Sequence, residues 1–230
     1  GDNERYYVGE QIGFVWIYNQ DGSRNPQPFI DVSDRFDLGG YDERGLLGMA
    51  FHPDFETNGK FYLYFSETNS GPAPDITRLA EFRVDADNPD VTDMDTERVL
   101  LDFEQPATNH NGGEILFGLL DGFLYIFTGD GGGSGDIYGN AQDMTSHLGK
   151  ALRIDIDTGD EGVPYLIPED NPFLDEPGAE PEIYSLGLRN PWRCTVDPGD
   201  SETGESRGRM FWADVGKNYC EEANILVSGT

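Results

Sequence analysis

The sequence predicts an all-β chain built from the blades of a β-propeller, and three observations lead there. Thirty glycines and 14 prolines cut the 230 residues into short runs. Those runs are aromatic and β-branched, with no apolar stripe at helical spacing. One phrase then recurs: an apolar strand, a turn holding Asp or Asn and often Gly, and an aromatic strand ending in a polar residue. A repeat of about fifty residues carrying a four-stranded unit is the mark of a propeller blade.

Taken in order, the expected strands are Tyr6 to Glu10, Gly13 to Tyr18, Leu47 to Phe51, Lys60 to Phe65, Thr77 to Val84, Glu114 to Phe117, Phe123 to Thr128, Ala151 to Ile156, Trp192 to Val196 and Met210 to Ala213. The phrase runs from Gly48 to Ser66, from Ile115 to Asp130 and from Cys194 to Asp214, and Arg5 to Glu10 reads as the second half of a further copy. In Phe61-Tyr62-Leu63-Tyr64-Phe65 and Phe123-Leu124-Tyr125-Ile126-Phe127 both alternating faces are apolar, so each strand needs cover on two sides. A β-sandwich would space its turn signals more evenly, at roughly 8 to 12 residues. The first copy lacks its beginning, and Ala223 to Ser228 stops inside a strand. The expectation is one partial propeller domain over 1–230, an N-terminal piece of three to four blades that continues beyond both ends.

Charge narrows the function. Fifteen Lys and Arg stand against 44 Asp and Glu, a formal net charge of −29. With no basic stretch, the chain cannot gain nucleic-acid affinity by counterion release, and an anionic membrane surface repels it. No run of 18 apolar residues suggests membrane insertion, and Gly1 to Arg5 resembles neither a signal nor a transit peptide, so an export signal would have been removed or lie outside the sequence. Hydrophobic residues at 37% and aromatics at 12% are too many for a disordered acidic tail. Cys194 and Cys220 are either one local bridge or two free thiols.

Common signatures fail. Gly149-Lys150 is followed by Ala151, so it is no P-loop; the glycine run 129–136 lacks the dinucleotide spacing; Pro89 breaks an EF-hand-like start at Asp85. What remains lies at strand ends. His110, in Thr108-Asn109-His110-Asn111-Gly112-Gly113, has the chemistry of a general base or of a loop histidine bonded to backbone. Asp130 could orient it, bind a cation, or open an Asx turn. Arg189 could present a guanidinium to an anion or pair with one of the acidic residues. His52 and His147 read as structural. With the three histidines far apart and abundant carboxylates, calcium is expected over zinc.

Several of these phrases, Asp42 to Pro53, Asn109 to Gly113, Asp121 to Gly132, Asn140 to Asp143, Leu148 to Lys150, Asp170 to Phe173 and Gly187 to Cys194, occur in family order along the chain. Through them the sequence resembles the glucose/sorbosone dehydrogenase family, within it the animal Hedgehog-interacting protein-like branch. The resemblance implies a six-bladed propeller. In the enzymes it implies oxidation of an aldose C1 hydroxyl by hydride transfer to pyrroloquinoline quinone, with calcium at the cofactor. It implies that His110 is the catalytic base, Asp130 its supporting carboxylate, and Arg189 with Asn190 the cofactor-facing pair, joined by Asn109, Glu43 and Gly216. It also places calcium near Asp214, Glu221 and Glu222.

Two positions depart from the enzyme pattern. Glu43 stands where a quinone-contacting glutamine is usual, and a carboxylate there repels an anionic cofactor. Val215 replaces a polar residue. In the Hedgehog-binding member a loop aspartate meets the ligand's zinc; here the loop carries Asn190, a poor zinc ligand, which argues against Hedgehog binding by this route. The sequence therefore supports two functions, a secreted, non-enzymatic interaction module with an extracellular protein ligand, and a quinone- and calcium-dependent dehydrogenase acting on a small sugar. Glu43 and Val215 tilt the balance to the module.

Overall fold

A strand that is apolar on both faces is stable only where other elements cover each side, and that requirement shapes the whole chain. The computed structural model describes residues 5–39, 42–68, 75–157, 162–218 and 220–226. Their strands form four antiparallel sheets in two compact units, 1–104 and 105–230.

In the first unit, β1 (Arg5–Gly9), β2 (Phe14–Asn19) and β3 (Ile30–Asp31) make one sheet in chain order. The second sheet is β4 (Leu46–Phe51), β5 (Lys60–Thr68), β6 (Asp75–Val84) and β7 (Thr92–Gln105), also in chain order. Between β4 and β5 lies a helical turn, α1 (Phe55–Asn58), ended by Gly59 at φ 64° with its N–H on the Phe55 carbonyl. Residues 61–65 are fully buried. Phe61, Leu63 and Phe65 join Val15, Ile17 and Phe29 in the core between the sheets, while on the opposite face Tyr62 Oη donates to Glu81 at 3.0 Å.

In the second unit, β8 (Ile115–Phe117), β9 (Leu124–Phe127), β10 (Lys150–Ile154) and β11 (Ile183–Leu186) form a sheet in the order β11-β10-β9-β8. The other sheet is β12 (Pro191–Val196), β13 (Met210–Asp214) and β14 (Glu222–Leu226). Tyr125, Phe127 and Ala151 from the first pack on Met210 and Trp212 from the second, with the Phe127 and Trp212 ring centroids 5.4 Å apart.

Every expected strand is present with its ends moved by a few residues; β14 carries the expected terminal strand, whose Val227 and Ser228 lie outside the described residues. Three strands and α1 were not expected. β3 is two residues long, β11 is a short mixed run, and β7, Thr-Asp-Met-Asp-Thr-Glu-Arg at its start, reads as solvated because it lies at the edge of its sheet. Among the described residues, β1 pairs with the aromatic β2 alone. Cys194 and Cys220 are both free thiols.

Phe127→Ala in the full-length protein is expected to lower stability by about 3 to 5 kcal/mol, because a fully buried ring is lost from between two sheets. Urea unfolding measures this; a loss below about 1 kcal/mol would contradict the packing described.

Candidate functional site

Backbone that can approach other backbone closely is supplied by glycine, and glycines gather four chain segments at one end of the second unit. His110 sits at φ 56°, left-handed and costly for a residue with a side chain. It is followed by Gly112 at φ 65° and Gly113 at φ 128°. The loop lies directly on the end of β9: a Cβ on Gly129 would stand 1.9 Å from the His110 carbonyl oxygen, and one on Gly112 would stand 2.6 Å from the Phe127 oxygen. The Gly113 N–H donates to that same Phe127 carbonyl at 3.0 Å.

Asp130 follows β9 and is buried with His110. Its Oδ1 lies 2.6 Å from His110 Nδ1 and accepts the Gly132 N–H at 2.9 Å. The Asp130 N–H donates to the Arg189 carbonyl at 2.8 Å, and the Asp130 carbonyl accepts Asn140 Nδ2 at 2.8 Å. Arg189, in the turn between β11 and β12, donates through Nη1 to the Val215 carbonyl at 2.5 Å. Its Nη2 lies 2.8 Å from His110 Nε2. A guanidinium can only donate, so Nε2 carries the lone pair and Nδ1 the proton that faces Asp130. Asp130 thus fixes the tautomer that a base requires, while Arg189 covers the basic lone pair.

The Arg189 turn is held by Asp214, the last residue of β13. Its Oδ2 accepts the Arg189 N–H at 2.9 Å and its Oδ1 the Asn190 N–H at 2.6 Å. Burial raises the Asp214 pKa, against the lowering effect of these two N–H groups. Among the described residues, no carboxylate makes a salt bridge to the Arg189 guanidinium, and its Nε is buried without a hydrogen-bond partner. The site therefore keeps a half-buried positive charge that an anionic ligand would match.

The structure brings His110, Asp130 and Arg189 together, with Asn109 beside them, its Oδ1 accepting the Gly133 N–H at 3.4 Å. Asn190 does not face outward. It is 5% exposed, and its Oδ1 accepts the Gly112 N–H at 3.1 Å. Gly216 meets a local need, since a Cβ there would stand 1.5 Å from the Cys220 oxygen, and its N–H donates to Glu221 at 2.7 Å. Glu43 belongs to the first unit. Its neighbours Asp42 and Arg44 are bonded to each other, and Arg44 also bonds Asp75; the Arg44 bonds hold the Asp42 carboxyl down at about 2.

Two of the three acidic residues expected near calcium are engaged with backbone N–H groups. Antiparallel pairing sets Glu222 across from Asp214, but the Asp214 carboxylate turns to the 189–190 backbone and Glu221 to Gly216. The ligand atoms of the three do not gather within 4.8 Å of one another. Two supporting residues were missed, though both lie in phrases that carry the resemblance. Asn140 holds Asp130, and Lys150 Nζ donates to the Asn140, Ala141 and Leu148 carbonyls at 2.7, 3.3 and 2.6 Å. Burial pushes the Lys150 ammonium down to about 8.

Gly129→Ala is expected to cost about 3 kcal/mol or more, since its Cβ would meet backbone and not a movable side chain. A thermal-unfolding curve unchanged from wild type would contradict the close approach. Asp214 gives a pH test. With its folded pKa raised above the ordinary 3.8, its contribution to stability is present below that value and is lost as pH rises through the folded value. The stability difference between wild type and Asp214→Asn, followed by urea midpoints, should therefore move against wild type across that window and level off above it. A pH-independent difference would contradict the burial effect.

Known proteins share both the sequence and the fold. The sequence model of the Glucose / Sorbosone dehydrogenase family matches residues 1–230. The human Hedgehog-interacting protein is 35% identical over 97% of this chain and 35% of its own length. The soluble aldose sugar dehydrogenase of Escherichia coli, solved in the apo form, superposes with a TM-score of 0.76 at 25% identity, over 99% of this chain and 58% of that one. The aldose sugar dehydrogenase of Streptomyces coelicolor in its PQQ-bound form gives 0.64 at 25% identity, over 97% and 60%. The chain thus spans about a third of the length of the curated relative it matches. It belongs to the glucose/sorbosone dehydrogenase family.

Proposed function

We propose that this chain is part of a six-bladed β-propeller in which the His110 site oxidises the C1 hydroxyl of an aldose, with pyrroloquinoline quinone and calcium as cofactors. One observation carries the reading: a buried His110 whose Nδ1 is held by Asp130 and whose Nε2 is held by an Arg189 that no described carboxylate neutralises. The donor set suits an acidic quinone, because Arg189 has charge and an unpartnered N–H to offer. Bound there, the quinone would supply the two-electron acceptor for the C1 hydride.

The residues divide the remaining work. An anionic group drawing Arg189 towards itself releases the Nε2 lone pair. A sugar hydroxyl donating to Nε2 can then give up its proton, and Asp130 stabilises the imidazolium through Nδ1–H. The polar residue absent at Val215 does not disable this arrangement, because Val215 acts through its backbone, accepting from Arg189 and donating its N–H to the Asn190 carbonyl at 3.2 Å.

A second reading is a secreted interaction module like the Hedgehog-interacting protein. The 35% identity to that protein and the carboxylate of Glu43 favour it. Contact with Hedgehog through Asn190 is not favoured, since that side chain is buried on Gly112.

The full-length protein with calcium and pyrroloquinoline quinone is expected to oxidise glucose or another aldose in a dye-linked assay. His110→Ala should lower kcat/KM by about 10² to 10⁴, and Arg189→Gln should weaken quinone binding, read by tryptophan fluorescence. Absence of quinone binding by the wild-type protein would overturn the enzyme reading in favour of the interaction module.

A further inference from the structure

A second cluster of titratable groups lies outside the His110 machinery. His147 precedes β10, and Glu180 and Glu182 precede β11. The His147 Nε2 stands 3.2 Å from Glu182 Oε2 and 3.8 Å from Glu180 Oε2, and one ligand atom from each residue lies within 4.8 Å of the others. Among the described residues, neither glutamate makes a salt bridge with any Lys or Arg, so two carboxylates share one imidazole.

The framework around them is fixed. The Glu180 N–H donates to the Met144 carbonyl at 2.8 Å, joining the two segments, and the Arg153 N–H donates to the Glu182 carbonyl at 2.7 Å. Tyr165 Oη donates to Glu182 Oε1 at 2.7 Å, which orients that carboxylate and leaves Oε2 towards His147. The Glu182 side chain is 8% exposed, His147 18% and Glu180 38%, so the cluster is sheltered on one side and open on the other.

We infer that His147, Glu180 and Glu182 bind one divalent transition metal of the zinc class. Bonds of about 2.0 to 2.2 Å in a tetrahedron set donors about 3.3 to 3.6 Å apart, close to the two nitrogen-to-oxygen distances found. One nitrogen and two carboxylates are a zinc-class donor set, with water completing the shell, whereas calcium takes six to eight oxygens. Tyr165 supplies the outer hydrogen bond that such carboxylates use. The metal would clasp the 143–147 turn to the 180–182 segment. Because Thr128 Oγ1 donates to the His147 carbonyl at 2.6 Å, the clasp braces the chain two residues before Asp130. Such a site would stand apart from the calcium expected at the cofactor. The histidines are indeed far apart, but the β10–β11 pairing brings one of them to two glutamates more than thirty residues later. The inference does not depend on the chemistry assigned to His110.

The full-length protein, stripped of metal and resaturated with calcium, provides the test, with Co²⁺ as spectroscopic probe and Zn²⁺ as competitor. Wild type is expected to show the visible absorption of four- or five-coordinate cobalt, lost on adding one equivalent of Zn²⁺. His147→Gln and Glu182→Gln, each checked for folding by circular dichroism, should weaken Zn²⁺ binding at least tenfold. The inference is overturned if either folded variant binds Zn²⁺ within about a factor of two of wild type, or if cobalt in the wild type keeps the spectrum of the hexaaqua ion.

Discussion

The Arg189 guanidinium is the group on which the rest of the site depends. In a chain of net charge −29, several other buried or half-buried arginines are met by carboxylates: Arg44 by Asp42 and Asp75, Arg78 by Glu67 and Asp102, Arg153 by Asp170. Arg189 is placed differently. Asp214 grips the backbone N–H groups of residues 189 and 190, and the Asp130 N–H grips the 189 carbonyl. Acidic residues thus fix the position of this arginine through its backbone while leaving the guanidinium charge to face His110 and the Val215 carbonyl. A positive charge held against the lone pair of a neutral imidazole is a resting arrangement that an anionic ligand can change.

That arrangement rests on packing further down. Asp130 stands three residues beyond Phe127, whose ring lies against Trp212, and Asp214 stands two residues beyond that tryptophan. One aromatic contact between two sheets therefore sets the spacing of the carboxylate that holds the histidine and the carboxylate that holds the arginine. His110 reaches between them only because Gly112 and Gly129 have no Cβ, and the left-handed backbone of His110 is sustained by the loop being pressed onto β9.

Much of this was legible from the residues themselves. Doubly apolar strands such as Phe61 to Phe65 announce two-sided cover, and the structure buries all five residues. His110, Asp130 and Arg189 stood out by their place at strand ends and by the family resemblance. What was not legible is where each polar side chain turns. Asp214 looked like a metal ligand because it is acidic and near a strand end, yet its register on β13 aims it at a turn 24 and 25 residues earlier. The resemblance set Asn190 beside Arg189 to face a cofactor, and the side chain also meets a local need, since Gly112 has an N–H that needs an acceptor and Asn190 supplies it. β7 was hidden because a polar strand at a sheet edge has the composition of a loop. The grouping of His147 with Glu180 and Glu182 depends on a hairpin connection too long for any spacing rule to register.

The central claim is that His110 rests as a neutral imidazole protonated on Nδ1, with Nε2 accepting from Arg189. Two-bond ¹⁵N–¹H correlation NMR of the full-length protein labelled at histidine reads this directly. The account predicts a protonated-type ¹⁵N shift for Nδ1 and an unprotonated-type shift for Nε2 of His110 in the cofactor-free protein. A proton found on Nε2, with Nδ1 bare towards Asp130, would contradict it.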